Sequence, residues 1–251
     1  MTDVSIVADE KIPSVSRALG LLEIMQRAAP GGIRVNDVAK SLGVDADTAS
    51  GLLSTLLSHG YASRMPDQSY TLGVRSLRLA VGWVDSLVQR AAAPMARISD
   101  RCGETVYLLQ LVGSEAVTLA RRPSGRRAAI DVEIGPSYPL WATAAGRALL
   151  GGLPPALIPT LLPPEPYPAF TTRTKTTWIE LSIAMTEGRR SGVHAEEGEI
   201  DLALSCYAIP LLHSERHHKL ALAVSFESRR PESERGSVER ALRREWYELA
   251  G

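Results

Sequence analysis

The sequence is short of the features that mark several large protein classes. Cys102 and Cys206 are its only cysteines. Two isolated thiols cannot form a disulfide scaffold and suit a reducing compartment, so a cytoplasmic protein is expected. No run of about 18 apolar residues occurs, so neither a membrane span nor a membrane partner is expected. The stretch from Met1 to Lys11 is polar and acidic and lacks the apolar centre of a signal peptide. There is no P-loop, no G-x-S-x-G and no H-E-x-x-H. The histidines are His59, His194, His213, His217 and His218. The adjacent pair His217-His218 lacks spaced partner ligands. No metal, no cofactor and no catalytic site are therefore expected. An excess of one charge is missing too: 28 Lys and Arg balance 28 Asp and Glu.

What is present is a foldable chain. It is 45% hydrophobic and 22% charged over 251 residues, enough for a real core and for two domains. The most informative stretch runs from Arg34 to Gly73. Val35, Val38, Ala39 and Leu42 recur at helical spacing. Gly43 ends that helix, where a residue at ease with positive φ is wanted. Asp45 can cap a second helix, in which Ala49, Leu52, Leu53, Leu56 and Leu57 repeat the pattern. Its other face carries Asp47, Thr48, Ser50, Gly51, Ser54 and Thr55, small and polar enough to approach a major groove. Tyr61 to Arg64 and Ser69 to Leu72 read as strands around the turn Met65-Pro66-Asp67-Gln68. Together these predict a winged helix-turn-helix over residues 13–73. A preceding helix, capped by Ser14, would bury Val15, Ala18, Leu19, Leu22 and Met25. Residues 1–12 read as a disordered tail. Residues 1–73 hold six basic against eight acidic side chains, a balance of −2. Since phosphate contacts supply most non-specific affinity, random DNA should be held weakly. Arg17, Arg34 and Arg64 are the expected phosphate contacts; Asp47, Thr48, Ser50, Gly51 and Ser54 complete the expected DNA-reading surface.

Next, Val74, Leu77, Val81, Val84, Val88 and Ala91 are spaced 3, 4, 3, 4 and 3 residues apart. This is a heptad seam, which predicts a linker helix over 74–92 that pairs with its copy; a core helix inside one subunit is the competing reading. Pro94 is expected to end it, with Ala96 to Arg101 as a further short helix. Residues 93–251 mix strands and helices. Thr105 to Val112 and Ala116 to Ala120 read as a hairpin, Arg121 to Arg127 as a basic turn and Ala128 to Ile134 as another strand. Thr143 to Leu150 reads as a short helix. The seven prolines from Pro154 to Pro168 predict irregular chain. Trp178 to Arg190 returns to helix. Cys206 to Leu212 and Leu220 to Phe226 read as strands about the polar His213–Lys219 stretch, and Glu232 to Leu249 as a terminal helix. The fold class is α+β with a largely antiparallel sheet.

The order of these stretches resembles the IclR family of bacterial transcription regulators over nearly the whole chain. The resemblance rests on Ser14-Val15-Ser16-Arg17-Ala18-Leu19, on Gly60-Tyr61 through Tyr70-Thr71-Leu72-Gly73, on Pro139 to Leu150, and on Cys206-Tyr207-Ala208-Ile209-Pro210. It implies a winged helix-turn-helix, a dimerising linker helix and a GAF-like domain that binds a small metabolite. It also implies effector contacts at Ala144, Ala145, Glu196, Cys206, Ala223 and Ser225. Two positions depart from the family: Gly51 stands where a polar or basic residue is common, and Trp141 where His is usual.

The residues themselves point to the same region. A helix opening at Thr143 aims free N–H groups at whatever precedes it, which suits a carboxylate. Ala142, Ala144 and Ala145 leave room. Ala223 and Ser225 share one strand face, as do Cys206 and Ala208. Trp141 is the expected flat wall for a ring, and Glu196, a contact that the resemblance implies, is the expected acceptor for a hydroxyl. The expected effector is a small organic acid, an aromatic acid ahead of a short keto acid. The resulting expectation is a homodimer, or a tetramer, that binds a roughly palindromic double-stranded DNA operator. Two other readings remain: a ligand sensor or interaction protein whose helix-turn-helix no longer binds DNA, and an enzyme with Cys206 as nucleophile.

Overall fold

The computed structural model describes residues 12–80, 83–123, 135–211 and 219–250. The chain divides into two compact units, Met1–Asp85 and Ser86–Gly251. The expected tail over residues 1–11, the strand over 128–134 and the polar stretch over 213–218 lie outside the described residues, as do Ser124 to Arg127 of the basic turn.

In the first unit, α1 (Pro13–Arg27), α2 (Val35–Leu42) and α3 (Ala46–Ser58) precede a hairpin of β1 (Ala62–Arg64) and β2 (Tyr70–Leu72), then α4 (Val74–Ala80). Leu21, Met25, Val38, Ala49, Leu53 and Leu56 form its core. Gly43 takes φ 63° after α2, and the Asp45 carboxylate accepts the Thr48 N–H at 2.6 Å to cap α3. Both positions act as the sequence predicts. The start of α1 does not. Its N-cap is Ile12 and no side chain caps it; Pro13 occupies the first helical position and Ser14 the second. Proline's fixed φ suits that position and its missing N–H costs nothing there. The buried stripe of α1 also differs from expectation. Leu21 and Met25 are buried, while Val15 and Leu19 are more than half exposed, because the other elements of the core meet only the C-terminal half of the helix. The hairpin is extended by a bridge between Ile33 and Tyr70.

The second unit is a six-stranded, wholly antiparallel sheet. Its strands are β3 (Val106–Val112), β4 (Glu115–Arg122), β5 (Ser137–Pro139), β6 (His194–Glu197), β7 (Leu204–Leu211) and β8 (Leu220–Glu227). Their order is β5-β4-β3-β8-β7-β6. Large side chains line one face: Val106, Leu108, Ile209, Leu222, Val224 and Phe226 pack against α5 (Trp83–Cys102) and α8 (Glu232–Ala250). Smaller ones line the other: Ala208, Ala221 and Ala223, beside Tyr107 and Leu109, pack under α6 (Ala144–Gly151) and α7 (Trp178–Ser191). Alternation along each strand produces this division.

Three expectations need correction here. The helix does not end at Pro94; α5 runs through it. The lost backbone hydrogen bond is outweighed by a buried stripe of Leu87, Ala91, Met95, Ile98 and Cys102. Further support comes from Glu245 of α8, fully buried, whose Oε2 accepts from Arg97 Nε at 2.9 Å. The proline-rich segment is not wholly irregular, since Pro155–Leu161 forms a 3-10 helix. Its bonds reach only three residues and Pro155 stands at its start, where no N–H is required. Third, the predicted seam is divided. Val88 packs on the core of the second unit and Ala91 lies inside it, so these two belong to the core helix. Val74 is 78% exposed. The side chains of Leu77, Val81 and Val84 lie outside the described residues.

Gly146 fixes α6 against the turn before it. A Cβ there would meet the Leu140 carbonyl oxygen at 2.3 Å and the Leu140 Cα at 2.4 Å. These are backbone atoms that cannot rotate aside. We predict that Gly146→Ala destabilises the second unit by about 1–3 kcal/mol despite alanine's higher helix propensity. Urea titration of the full chain would show it; an unchanged midpoint would mean that the turn yields freely.

Candidate DNA-reading face and effector cavity

On the first unit, the exposed side of α3 presents Asp47, Ser50, Gly51 and Ser54, with Thr48 half-buried beside them. Thr55 is turned to its own helix, its hydroxyl donating to the Gly51 carbonyl at 2.8 Å. The three expected phosphate contacts are exposed but differ in freedom. Arg34 lies 3.8 Å from Asp67 in the hairpin turn. Arg64 extends over the Tyr70 ring, 5.7 Å from its centroid. Arg75, absent from the sequence expectation, is also exposed and donates to the His59 carbonyl at 3.2 Å. A Cβ at Gly51 would meet nothing within 4 Å. Packing therefore does not require glycine there.

On the second unit, a cavity of about 140 Å³ opens on the small-residue face of the sheet. Thr143, Ala145, Glu196, Cys206, Ala223 and Ser225 all line it, so six of the nine sequence candidates converge. Their convergence follows from register. Glu196 pairs with Cys206, and Cys206 with Ser225, in one row across β6, β7 and β8. Ala223 pairs with Tyr107 in the neighbouring row. Thr143 caps α6 by accepting the Gly146 N–H at 3.0 Å and donates its own proton to the Pro139 carbonyl at 2.9 Å. Helix geometry leaves the Ala144 and Ala145 N–H groups without intrahelical acceptors.

The other three candidates lie elsewhere. Ala142 and Ala144 are buried in packing and are not part of the cavity wall. Trp141 is turned away: its Nε1 donates to the Pro168 carbonyl at 3.0 Å and its ring stacks on Phe170 at 6.1 Å. The proline-rich segment supplied an acceptor for its indole N–H, which a wall position would have left unsatisfied. The aromatic walls are Tyr107 and Tyr138. Strand alternation carried onward from Ala223 to its cross-strand partner would have located Tyr107. Thr118 was missed as well. It lines the cavity, and its hydroxyl is buried with no partner among the described residues.

Charge is unevenly placed around this cavity. Arg147 of α6, 1% exposed, donates to the Ala195 carbonyl at 2.6 Å, to the Trp141 carbonyl at 3.1 Å and to the Glu199 carboxylate. Lys175 reaches the same carboxylate at 2.6 Å. The Glu199 N–H in turn donates to Glu196 Oε1. Burial, reinforced by the neighbouring Glu199 carboxylate, lifts the Glu196 carboxyl to about 7. Burial, with Arg147 and Arg189 nearby, lowers His194 to about 4. Burial and the charge of Glu196 push the Cys206 thiol up to about 12. At neutral pH it is a protonated thiol and not the nucleophile that the enzyme reading needs. Among the described residues no group of three or more His, Cys, Asp or Glu is placed to hold a metal, and no helix is long and apolar enough to cross a membrane.

Comparison with known proteins places both units. The profile for the IclR helix-turn-helix domain matches residues 14–66, and that for the C-terminal part of bacterial IclR transcriptional regulators matches residues 84–246. The HTH-type transcriptional regulator XynR of Escherichia coli (strain K12) is 32% identical over 219 residues, 85% of this chain and 86% of that protein. An IclR-type regulator of Silicibacter sp. TM1040 superposes with a TM-score of 0.80 at 26% identity, over 94% of both chains. An IclR homolog of Microbacterium hydrocarbonoxydans, solved as a complex with 4-hydroxybenzoate, shares the fold. It has a TM-score of 0.76 at 21% identity, over 95% of this chain and 98% of that one.

Two predictions follow from this geometry. Gly51→Ala should stabilise the first unit by about 0.5–1 kcal/mol, read by thermal melting; a loss would show that the helix face is packed after all. For Glu196, the sign of the pH effect is set by the raised pKa. An unfolded chain ionises this group near 4.5, so from there up to about 7 the native state holds the extra proton and stability falls as pH rises. His194 acts oppositely between about 4 and 6.5. The wild-type profile is thus partly cancelled, and the variant difference is the readout. Glu196→Gln should gain about 2 kcal/mol over wild type between pH 5 and pH 8. A constant difference across that range would refute the burial cost of its charge.

Proposed function

The chain belongs to the IclR family of bacterial transcriptional regulators, and from that we propose a homodimeric DNA-binding regulator whose operator affinity is set by a small organic acid. The observation that carries the effector half is the cavity itself. It joins the start of α6, the Thr118 hydroxyl, which has no partner among the described residues, and the Glu196 carboxyl in one space. The acid's carboxylate would sit at the start of α6, on the Ala145 N–H beside Thr143, where the helix dipole favours negative charge. Tyr107 and Tyr138 take the part expected of Trp141 as flat walls. A cavity of about 150 Å³ suffices for a benzene-sized ring, so about 140 Å³ suits one ring and little more. The 4-hydroxybenzoate complex of the Microbacterium relative supports an aromatic acid ahead of a short keto acid.

For the DNA half, Ser50 and Ser54 would meet base edges, with Thr48, Asp47 and Gly51 beside them, while Arg17, Arg34 and Arg64 hold phosphates. Two α3 helices would enter successive major grooves about 34 Å apart. The dimer is supported by apolar surface that one chain leaves open: Ile12 at the N-cap of α1, Val15 and Leu19 on α1, and Val74 and Leu79 on α4. One observation favours a regulator that has lost DNA. The DNA-reading segment is acidic on balance, and Asp67 already faces one of its arginines.

Gel shifts with the DNA upstream of its own and neighbouring genes decide between these. Retention of one fragment, altered by benzoate or 4-hydroxybenzoate, is the expected result; no retention at low salt favours the sensor. The double variant Val15→Glu/Leu19→Glu changes positions exposed in one chain, so the chain should still fold, with a lower melting temperature from the lost association, become monomeric and lose operator binding by at least tenfold. A variant still dimeric by light scattering would remove α1 from the interface.

A further inference from the structure

We propose that the cavity binds a monocarboxylate and one proton together, the proton residing on Glu196. This rests on the acid-binding reading above and concerns how the same site manages charge.

The geometry drives it. The described residues lining the cavity include no Lys and no Arg. Among the described residues, an entering carboxylate finds the backbone dipole at α6 and neutral hydroxyls but no cation, while Glu196, 4% exposed, shares the space. Two carboxylates confined to about 140 Å³ cannot stand far apart. Like charges that close cannot both remain ionised in a buried site, and one takes up a proton.

The surroundings of Glu196 do not relieve this. On its own strand stands His194, which burial keeps neutral. From β7 and β8 come the Cys206 thiol and the Ser225 hydroxyl, both uncharged. Tyr107 and Tyr138 face the cavity from β3 and β5. Two cations lie behind it, Arg147 on α6 and Lys175 ahead of α7, but both are already spent on Glu199. Arg189 of α7 acts on His194. Glu199 adds a like charge next to Glu196. The Glu199 and Ile200 N–H groups and the field of Arg147 favour an ionised Glu196, and burial with the Glu199 charge outweighs them. The Glu199 N–H holds Oε1, so the proton on this carboxyl is assigned to Oε2, which would donate it to a ligand oxygen. A Glu196 carboxyl that titrates near neutrality in the empty protein needs only a small further push from the ligand's charge.

The chemical class follows. A ligand with one carboxylate and a hydrogen-bonding oxygen at its other end fits, whereas a dicarboxylate brings a second charge for which the described residues of the cavity wall supply no cation. The side chain therefore selects monoanions, and affinity carries the pH of the surroundings with it.

Calorimetry of the full chain with benzoate and 4-hydroxybenzoate, from pH 6 to 8 in buffers of different ionisation enthalpy, tests this. The expected result is about a tenfold fall in affinity across that range and uptake of nearly one proton at pH 8. Glu196→Gln should bind benzoate with no uptake and a flat profile, and terephthalate should bind far more weakly than benzoate to the wild type. Binding with no uptake and constant affinity would overturn the proposal while leaving the acid site standing. So would uptake that persists in Glu196→Gln. Should that variant fail to fold, the buffer series on the wild type still decides. No binding of benzoate, 4-hydroxybenzoate or pyruvate at any pH would overturn the acid reading and this inference with it.

Discussion

Burying a guanidinium to 1% exposure is tolerable because both Nη groups of Arg147 are spent on Glu199, Ala195 and Trp141, although its Nε–H has no partner among the described residues. Those three partners lie after β6, on β6 and in the turn before α6. One side chain thus ties the short helix, the last strand of the sheet and the aromatic turn into a single body. Lys175 closes the arrangement from the segment ahead of α7 by sharing the Glu199 carboxylate. A charge so placed is costly to leave without a partner, since removing either member of such a pair strands the other in low dielectric. The start of α6 and the carboxyl of Glu196 are therefore positioned by the same network, although neither touches its centre in sequence.

The cavity is the complement of this rigidity. On the large-residue face of the sheet, Leu, Ile, Val and Phe fill the space beneath α5 and α8. On the other face the central strands carry Ala208, Ala221 and Ala223, and α6 brings Ala144, Ala145 and Ala148. Alanine packed on alanine lets the helix approach the sheet, and the space left beside it cannot be filled by neighbours that are already held. A volume protected in this way keeps an unspent hydroxyl at Thr118, which a collapsible core would have paired or excluded.

How much of this was legible depended on where burial and apolarity coincide. Gly43, Asp45 and the α2–α3 repeat were readable because cap and stripe chemistry act locally. β7 and β8 were readable because their alternation is apolar. β6 was not, since its two buried positions are His194 and Glu196, and a polar residue facing inward looks like a loop in sequence. Glu196 itself was reached only through the family resemblance. Pro94 misled because local backbone cost was weighed without the sheet beneath it. Trp141 misled because a large ring beside a helix start suggests a wall, while the acceptor for its indole N–H lay 27 residues further along. Thr118 carried no signal at all: an orphan hydroxyl is a property of three-dimensional surroundings.

The bond from Arg147 to the Ala195 carbonyl has one more effect. β6 is the outermost strand on its side of the sheet, and such a strand ordinarily offers its spare backbone groups as a template for any passing extended chain. Here one of those carbonyls is occupied from within the fold, the strand is only four residues long, and its last side chain, Glu197, is held by Arg235 of α8. An unfolded neighbour would have to displace a buried cation to continue the sheet. The same guanidinium that orders the ligand site thus also guards the β6 edge against strand addition at high concentration.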